Sequence, residues 1–136
     1  MLQVKPCDDT TAKAFCEAES VEYTSGVTTL ITAIENNETL GSLVYDILGN
    51  KMVIKYIEPV NDLLLADGIL RSALFIAANK SIMDIYYTNP VPYELINKLG
   101  FVKKKEDNSI DVTNLFSSSR ARRKKIALFN MLSPPL

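Results

Sequence analysis

The chain has 136 residues, of which 47% are apolar and 23% are charged, so its composition indicates one globular domain and excludes a disordered chain. No apolar run approaches the roughly 18 residues that a membrane-spanning helix needs, and no secretory signal begins the sequence, which predicts a cytoplasmic protein. Histidine is absent, which excludes Ser-His and Cys-His catalysis and every zinc site that needs imidazole.

Charge divides the chain into two parts. Residues 1–118 carry 10 basic and 16 acidic groups, a net charge of −6, whereas five basic residues follow between positions 120 and 125. An acidic body does not favour nucleic-acid binding. We therefore predict a domain over residues 1–116 that binds neither nucleic acid nor a membrane, and a basic and apolar tail over residues 117–136. The tail is compatible with a solvated end, an amphipathic segment or the contact of a homodimer.

The first half of the chain predicts mostly strands. Residues 2–6 alternate in polarity and predict a short strand, and Asp8 then offers an N-cap oxygen to a helix over residues 11–18. Three further segments are separated by tight turns, and their content of β-branched residues predicts an antiparallel meander. These segments are residues 27–34, 40–47 and 52–60.

The second half alternates helices with strands. Apolar residues recur at helical spacing over residues 67–79, and an apolar run over residues 82–87 predicts a buried strand. A helix is expected over residues 92–98, and Gly100 ends it in the left-handed conformation that glycine adopts without steric cost. A last hairpin is predicted from residues 101–105 and 110–116. This order indicates an α/β protein.

Two stretches resemble the GNAT-type acetyl-CoA-dependent N-acetyltransferases. Residues 60–74 resemble the strand end, the Arg/Gln-x-x-Gly-x-Gly/Ala loop and the long helix of that family, with Gly68 at the central glycine. Residues 89–101 resemble the pattern Asn-x-x-Ala-x-x-Leu-Tyr-x-Lys-Leu-Gly-Phe. Over residues 1–116 the resemblance implies a mixed, mostly antiparallel twisted sheet of six or seven strands with helices on both faces. The positions in register with the second pattern are Asn89, Leu95, Lys98, Leu99, Gly100 and Phe101.

The resemblance implies that acetyl-CoA is the co-substrate. A glycine-containing loop that leads into a helix presents backbone N–H groups and the positive end of the helix dipole to a pyrophosphate. Leu65 and Leu70 depart from the family pattern, and the charge of Asp67 would repel phosphate unless Arg71 offsets it. The alternative interpretation is that Asp67 and Gly68 only begin a helix whose leucine-rich face packs in the core. The implied coenzyme A site consists of Val60, Leu65, Ala66, Asp67, Gly68, Ile69, Leu70 and Arg71, with Asn89 for the pantetheine arm.

Two residues are candidates for catalysis. Glu58 lies on the central strand just before the implied loop, where a carboxylate can take a proton from an attacking amine. The adjacent Pro59 predicts a bulge that splays the strands. Ile96 stands where many family members carry the tyrosine that protonates the leaving thiolate, and isoleucine has no proton to donate. Tyr93, one helical turn earlier, is the candidate substitute.

Two functions remain open at this point. The first is an enzyme that moves an acetyl group directly to an unknown amine, without an acyl-enzyme, because neither Cys7 nor Cys16 lies in a family motif. The second is a catalytically degenerate GNAT-like fold that binds coenzyme A or another protein. Only 20 residues separate Pro6 from Val27, where the family usually places two helices, so the acceptor side is expected to be open.

Overall fold

Seven strands and three helices form the part of the chain that the computed structural model describes, residues 2–116. The helices are α1 (Asp9–Ala18), α2 (Leu63–Asn79) and α3 (Tyr93–Leu99). The strands are β1 (Gln3–Pro6), β2 (Thr28–Glu35), β3 (Glu38–Leu48), β4 (Lys51–Glu58), β5 (Asp84–Tyr87), β6 (Val102–Lys104) and β7 (Ser109–Ile110).

All seven strands belong to one sheet, in the order β1-β2-β3-β4-β5-β7-β6. Neighbouring strands are antiparallel except β4 and β5, which are parallel and are connected through α2. Helix α1 packs on one face, where Ala12 and Cys16 contact Leu30 and Val44. Helices α2 and α3 pack in the larger core on the other face. The predicted mixed, mostly antiparallel sheet with helices on both faces is confirmed.

Local sequence explains where the helices begin and end. The Asp8 carboxylate accepts from the Thr11 N–H at 2.8 Å and caps α1, and the Asp62 carboxylate accepts from the Leu65 N–H at 3.2 Å and caps α2. Helix α3 follows Pro92 and ends at Gly100, whose φ of 83° is the left-handed conformation that the sequence predicts.

Gly41 of β3 allows α2 to approach the sheet closely. A Cβ atom at this position would lie 2.5 Å from Ile69 Cδ1 and 2.7 Å from the Glu58 carbonyl oxygen, both far inside van der Waals contact. The absence of a side chain therefore lets α2 and the end of β4 meet over β3. This contact fixes the start of α2 beside the last residues of β4.

Two predicted boundaries are wrong by four residues or more, and the others differ by one or two residues. Helix α2 begins at Leu63 rather than at residue 67, because Asp62 caps it there. The strand predicted over residues 110–116 stops at Ile110, and a 3-10 helix, Thr113–Phe116, follows. Asp111 causes this change, since its carboxylate accepts hydrogen bonds from both the N–H and the hydroxyl of Thr113 at 2.9 and 2.6 Å.

The tail predicted over residues 117–136 lies outside the described residues. Within residues 2–116, no helix has the length and apolar character needed to cross a membrane. The same residues contain no group of three or more side chains arranged to hold a metal ion.

Candidate active site

The two central parallel strands separate half-way along β4. Residues 51–54 pair with residues 84–87 of β5, and the Thr88 N–H still donates to the Ile54 carbonyl oxygen at 3.0 Å. Strand β4 continues for four more residues, to Glu58, while only β3 pairs with it. Within the described chain, residues 55–58 therefore have one edge without a strand partner.

A β-bulge marks the position where the strands separate. Ile54 lies opposite Tyr45 and Tyr56 lies opposite Val44, so Lys55 is the extra residue of β4. The bulge that the sequence predicts beside Pro59 is thus present in β4 but lies at Lys55. A bulge bends its strand and increases the local twist, which is consistent with the divergence of β4 from β5.

A cavity of about 400 Å³ lies at the end of β4. Two residues of the predicted site line it, Glu58 and Val60. The chain then enters the first turn of α2, where Leu63 and Leu64 are 43% and 72% exposed. The end of β4 and the start of α2 therefore form a continuous accessible surface that combines apolar side chains with the polar side chains of Glu58, Asn61 and Asp62. The complete lining is Tyr56, Ile57, Glu58, Pro59, Val60 and Asn61.

Glu58 belongs to a hydrogen-bonded group on the α1 face of the sheet. The Tyr56 hydroxyl lies 2.6 Å from Glu58 Oε2 and 3.2 Å from Glu19 Oε1, and the Phe15 ring of α1 packs edge-on against Tyr56 at 5.4 Å. A hydroxyl has one proton, so the shorter contact is the donated bond. Burial and then the Glu58 carboxylate raise the pKa of Tyr56 far above its usual range. Tyr56 therefore stays neutral and orients Glu58.

The first turn of α2 has the accessible anion donors. Leu65 N–H donates to the Asp62 carboxylate and Ala66 N–H donates to the Asp62 carbonyl, which leaves the N–H groups of Leu63 and Leu64 before the start of the intrahelical ladder. These two groups and the helix dipole favour an anion at the start of α2.

Residues 65–70, where the resemblance places the phosphate-binding loop, are helical. Backbone N–H groups inside a helix donate to the carbonyl four residues earlier, so Asp67, Gly68, Ile69 and Leu70 have no free N–H group for a phosphate. The side chains of Ala66, Ile69 and Leu70 are completely buried in the core, Leu65 is partly buried, and only Gly68 borders open space.

Asp67 and Arg71 form a buried ion pair with each other. Arg71 Nε lies 3.1 and 3.0 Å from the two carboxylate oxygens of Asp67, and the two residues are 2% and 6% exposed. The guanidinium also stacks over the Phe101 ring at 5.0 Å. The sequence predicts both charges beside a phosphate. In the fold they neutralise each other in the core, one helical turn after the exposed start of α2.

The other predicted residues follow β5. Asn89 is exposed in the turn after the strand, and Tyr93 is the half-buried first residue of α3, with Lys105 Nζ 4.5 Å from its ring centroid. Ile96 is completely buried in the core. Its apolar side chain matches these surroundings, in which the hydroxyl of a tyrosine would need a partner.

Several solved structures of acetyltransferases are similar to this fold. Neither a family profile nor a curated protein sequence matches the chain. The ribosomal-protein-S18-alanine N-acetyltransferase of Escherichia coli is 9% identical with a TM-score of 0.57, and the alignment covers 80% of this chain and 88% of that one. A Bacillus subtilis acetyltransferase in complex with CoA is 15% identical with a TM-score of 0.55, over 76% and 78%.

A third structure, the PaiA N-acetyltransferase of Thermoplasma acidophilum in complex with coenzyme A, is 15% identical with a TM-score of 0.50. The match covers 71% of this chain, which spans only 62% of that protein. These similarities establish the fold: the chain folds like the GNAT-type N-acetyltransferases, as the resemblance in its sequence implies. At 9–15% identity the chain is a divergent example of that fold.

Two residues of the site are not found by sequence reasoning. Tyr56 precedes Glu58 by two residues. Because residues two apart in a strand lie on the same face, this spacing could have predicted that Tyr56 lies beside Glu58. Glu19 contacts Tyr56 across 37 positions of sequence, and no local pattern indicates such a contact.

Proposed function

We propose that this chain is an acetyl-CoA-dependent N-acetyltransferase whose active site is the end of β4. The observation that carries the proposal is the separation of β4 from β5, with a cavity and a glutamate at the open end. The neighbouring start of α2 supplies anion donors. The PaiA and Bacillus subtilis structures of the same fold contain coenzyme A, which supports acetyl-CoA as the co-substrate.

In this proposal the phosphates of acetyl-CoA bind at the N–H groups of Leu63 and Leu64, beside Val60. The pantetheine arm is extended and carries amides, so it lies along the unpaired edge of residues 55–58 in the manner of an added strand. Asn89 contacts the arm from the β5 side. Binding is weak, because the Asp62 carboxylate lies at the same helix start and Arg71 is held by Asp67.

The acceptor amine approaches Glu58 from the α1 face. Glu58 removes a proton from the amine, directly or through water, while Tyr56 holds the carboxylate in place. The amine nitrogen forms a bond to the thioester carbonyl carbon, the carbon–sulfur bond breaks, and the thiolate leaves with a proton from water or Tyr93. No acyl-enzyme forms in this proposal, because neither cysteine lines the cavity, and burial raises the pKa of the Cys16 thiol.

A second function is favoured by one observation. The buried Ile96 has no proton to donate to the thiolate, which favours a coenzyme A-binding or protein-interaction module without turnover. A thiol has a pKa of about 8.5, so its thiolate leaves without obligatory acid assistance, and the exposed Glu58 at the cavity favours the enzyme.

Calorimetry with two charge variants tests the binding step. Leu64→Glu adds a negative charge at the first turn of α2, where an acidic residue suits the helix dipole, and we expect acetyl-CoA affinity to fall by about tenfold or more. Leu48→Glu is the matched control, because Leu48 is a 50% exposed leucine next to the opposite end of β4. Equal affinity in both variants would place the phosphates elsewhere.

Release of free thiol from acetyl-CoA in the presence of a panel of primary amines tests turnover. We expect amine-dependent thiol release in the wild-type protein. Binding of acetyl-CoA without thiol release for any amine supports the binding module instead.

A further inference from the structure

Tyr87, the last residue of β5, has a buried hydroxyl without a hydrogen bond. The residue is 4% exposed and packs in the core on the α2 and α3 face. Its oxygen has no partner in the described chain. The neighbouring Tyr86 is different, because its hydroxyl donates to Asp84 at 2.9 Å on the exposed face. An unpaired buried hydroxyl destabilises a protein, and a phenylalanine would fill the same core position without that cost.

The position of Tyr87 relates this hydroxyl to the separation of the strands. Tyr87 is in register with Ile54, the last residue of β4 that pairs with β5. Beyond this pair only β3 continues beside β4, and Tyr87 packs in the same buried cluster as the core residues of α2. Burial raises the pKa of Tyr87, so the hydroxyl keeps its proton at neutral pH. It is a hydrogen-bond donor that lacks an acceptor.

We propose that the Tyr87 hydroxyl donates a hydrogen bond to the pantetheine arm of coenzyme A where the arm enters between β4 and β5. This inference rests on the proposed function and adds to it a binding residue. The arm carries amide carbonyls, which are acceptors of the kind that the hydroxyl lacks. In the unliganded protein the hydroxyl is therefore already removed from water. When the ligand binds, it gains a hydrogen bond and no further free energy is needed to desolvate the tyrosine.

The test compares Tyr87→Phe with Tyr86→Phe, which removes the adjacent hydroxyl on the other face. Without ligand, we expect Tyr87→Phe to melt at the same temperature as the wild type or higher. In calorimetry we expect it to bind coenzyme A and acetyl-CoA about tenfold more weakly, in equal measure, since both contain the arm. Tyr86→Phe should bind both ligands as the wild type does.

Three results separate this inference from the function on which it rests. If the wild-type protein binds no coenzyme A, both fail together. Should the wild type bind and Tyr87→Phe bind equally well, only the role of Tyr87 is overturned. A melting temperature of Tyr87→Phe clearly below that of the wild type also overturns it, because the hydroxyl then has a partner in the free protein.

Discussion

The two halves of β4 differ in what surrounds them. Residues 51–54 have a strand on each side, and the side chains of Met52 and Ile54 are completely buried. Residues 55–58 have one strand neighbour, an adjoining cavity and an exposed glutamate. The first half holds the sheet together, whereas the second half offers unpaired backbone and a carboxylate to a ligand. A single bulge at Lys55 separates the two.

Charged groups follow the same division. Asp67 and Arg71 are paired inside the core, where their effect is on folding. Glu58 and Glu19 share one tyrosine hydroxyl at the open end, where their effect is on a ligand. We therefore expect substitutions in the closed region to change stability and those in the open region to change binding or turnover.

The largest expected effect is on the buried ion pair. Asp67→Ala leaves the Arg71 guanidinium without its carboxylate in the core, which should lower the free energy of unfolding by about 3–5 kcal/mol in urea denaturation. The double variant Asp67→Leu with Arg71→Met removes both charges and should recover most of this loss. A single variant as stable as the wild type would show that solvent reaches the pair.

Glu58→Gln should have the next largest effect, on turnover alone. Loss of a general base lowers the rate by about 100-fold or more, while an exposed side chain changes the free energy of unfolding by only about 0.5 kcal/mol. Steady-state thiol release and a melting curve measure the two quantities. Glu17→Gln, an exposed glutamate of α1, is the control. Unchanged turnover in Glu58→Gln would remove the catalytic role from the open half of β4.

The sequence predicts the fold better than the site. Hydrophobic period, turn residues and the Gly100 cap are local signals, and they suffice for the antiparallel meander and for the end of α3. The start of α2 is missed because the apolar spacing indicates a helix only from residue 67, whereas the Asp62 cap begins the helix at Leu63. The partnership of Tyr56 with Glu19 depends on how α1 packs on the sheet, and short-range spacing contains no information about it.

A smaller effect is expected at Gly68. A Cβ atom added there meets nothing within 4 Å, so Gly68→Ala should stabilise α2 by about 0.5–1 kcal/mol through helix propensity. Because we place the phosphates at Leu63 and Leu64, acetyl-CoA affinity should not change. Urea denaturation and calorimetry check the two statements. Weaker binding by Gly68→Ala would mean that the ligand extends over this face of α2 and that the glycine is needed for its approach.

The smallest expected effect is on stability at acid pH. We assign it to two carboxylates outside the open half of β4, Asp8 and Asp111. The Thr11 backbone and side chain lower the pKa of Asp8, and the Thr113 side chain and backbone lower the pKa of Asp111. Because both pKa values are below the unfolded value of about 3.9, the stabilisation is complete above that pH and is lost as the pH falls through the folded values. The melting temperature should therefore fall between about pH 4 and pH 2.

The double variant Asp8→Asn with Asp111→Asn distinguishes the effect of protonating these carboxylates from the effect of the hydrogen bonds that they accept. Asparagine still accepts the hydrogen bonds of a cap or turn but does not titrate, so the variant should melt near the wild-type temperature at pH 7 and should lose less stability on acidification. Glu106→Gln, an exposed carboxylate of the β6–β7 turn, should keep the wild-type slope. If the double variant also keeps that slope, groups other than Asp8 and Asp111 cause the loss of stability at acid pH.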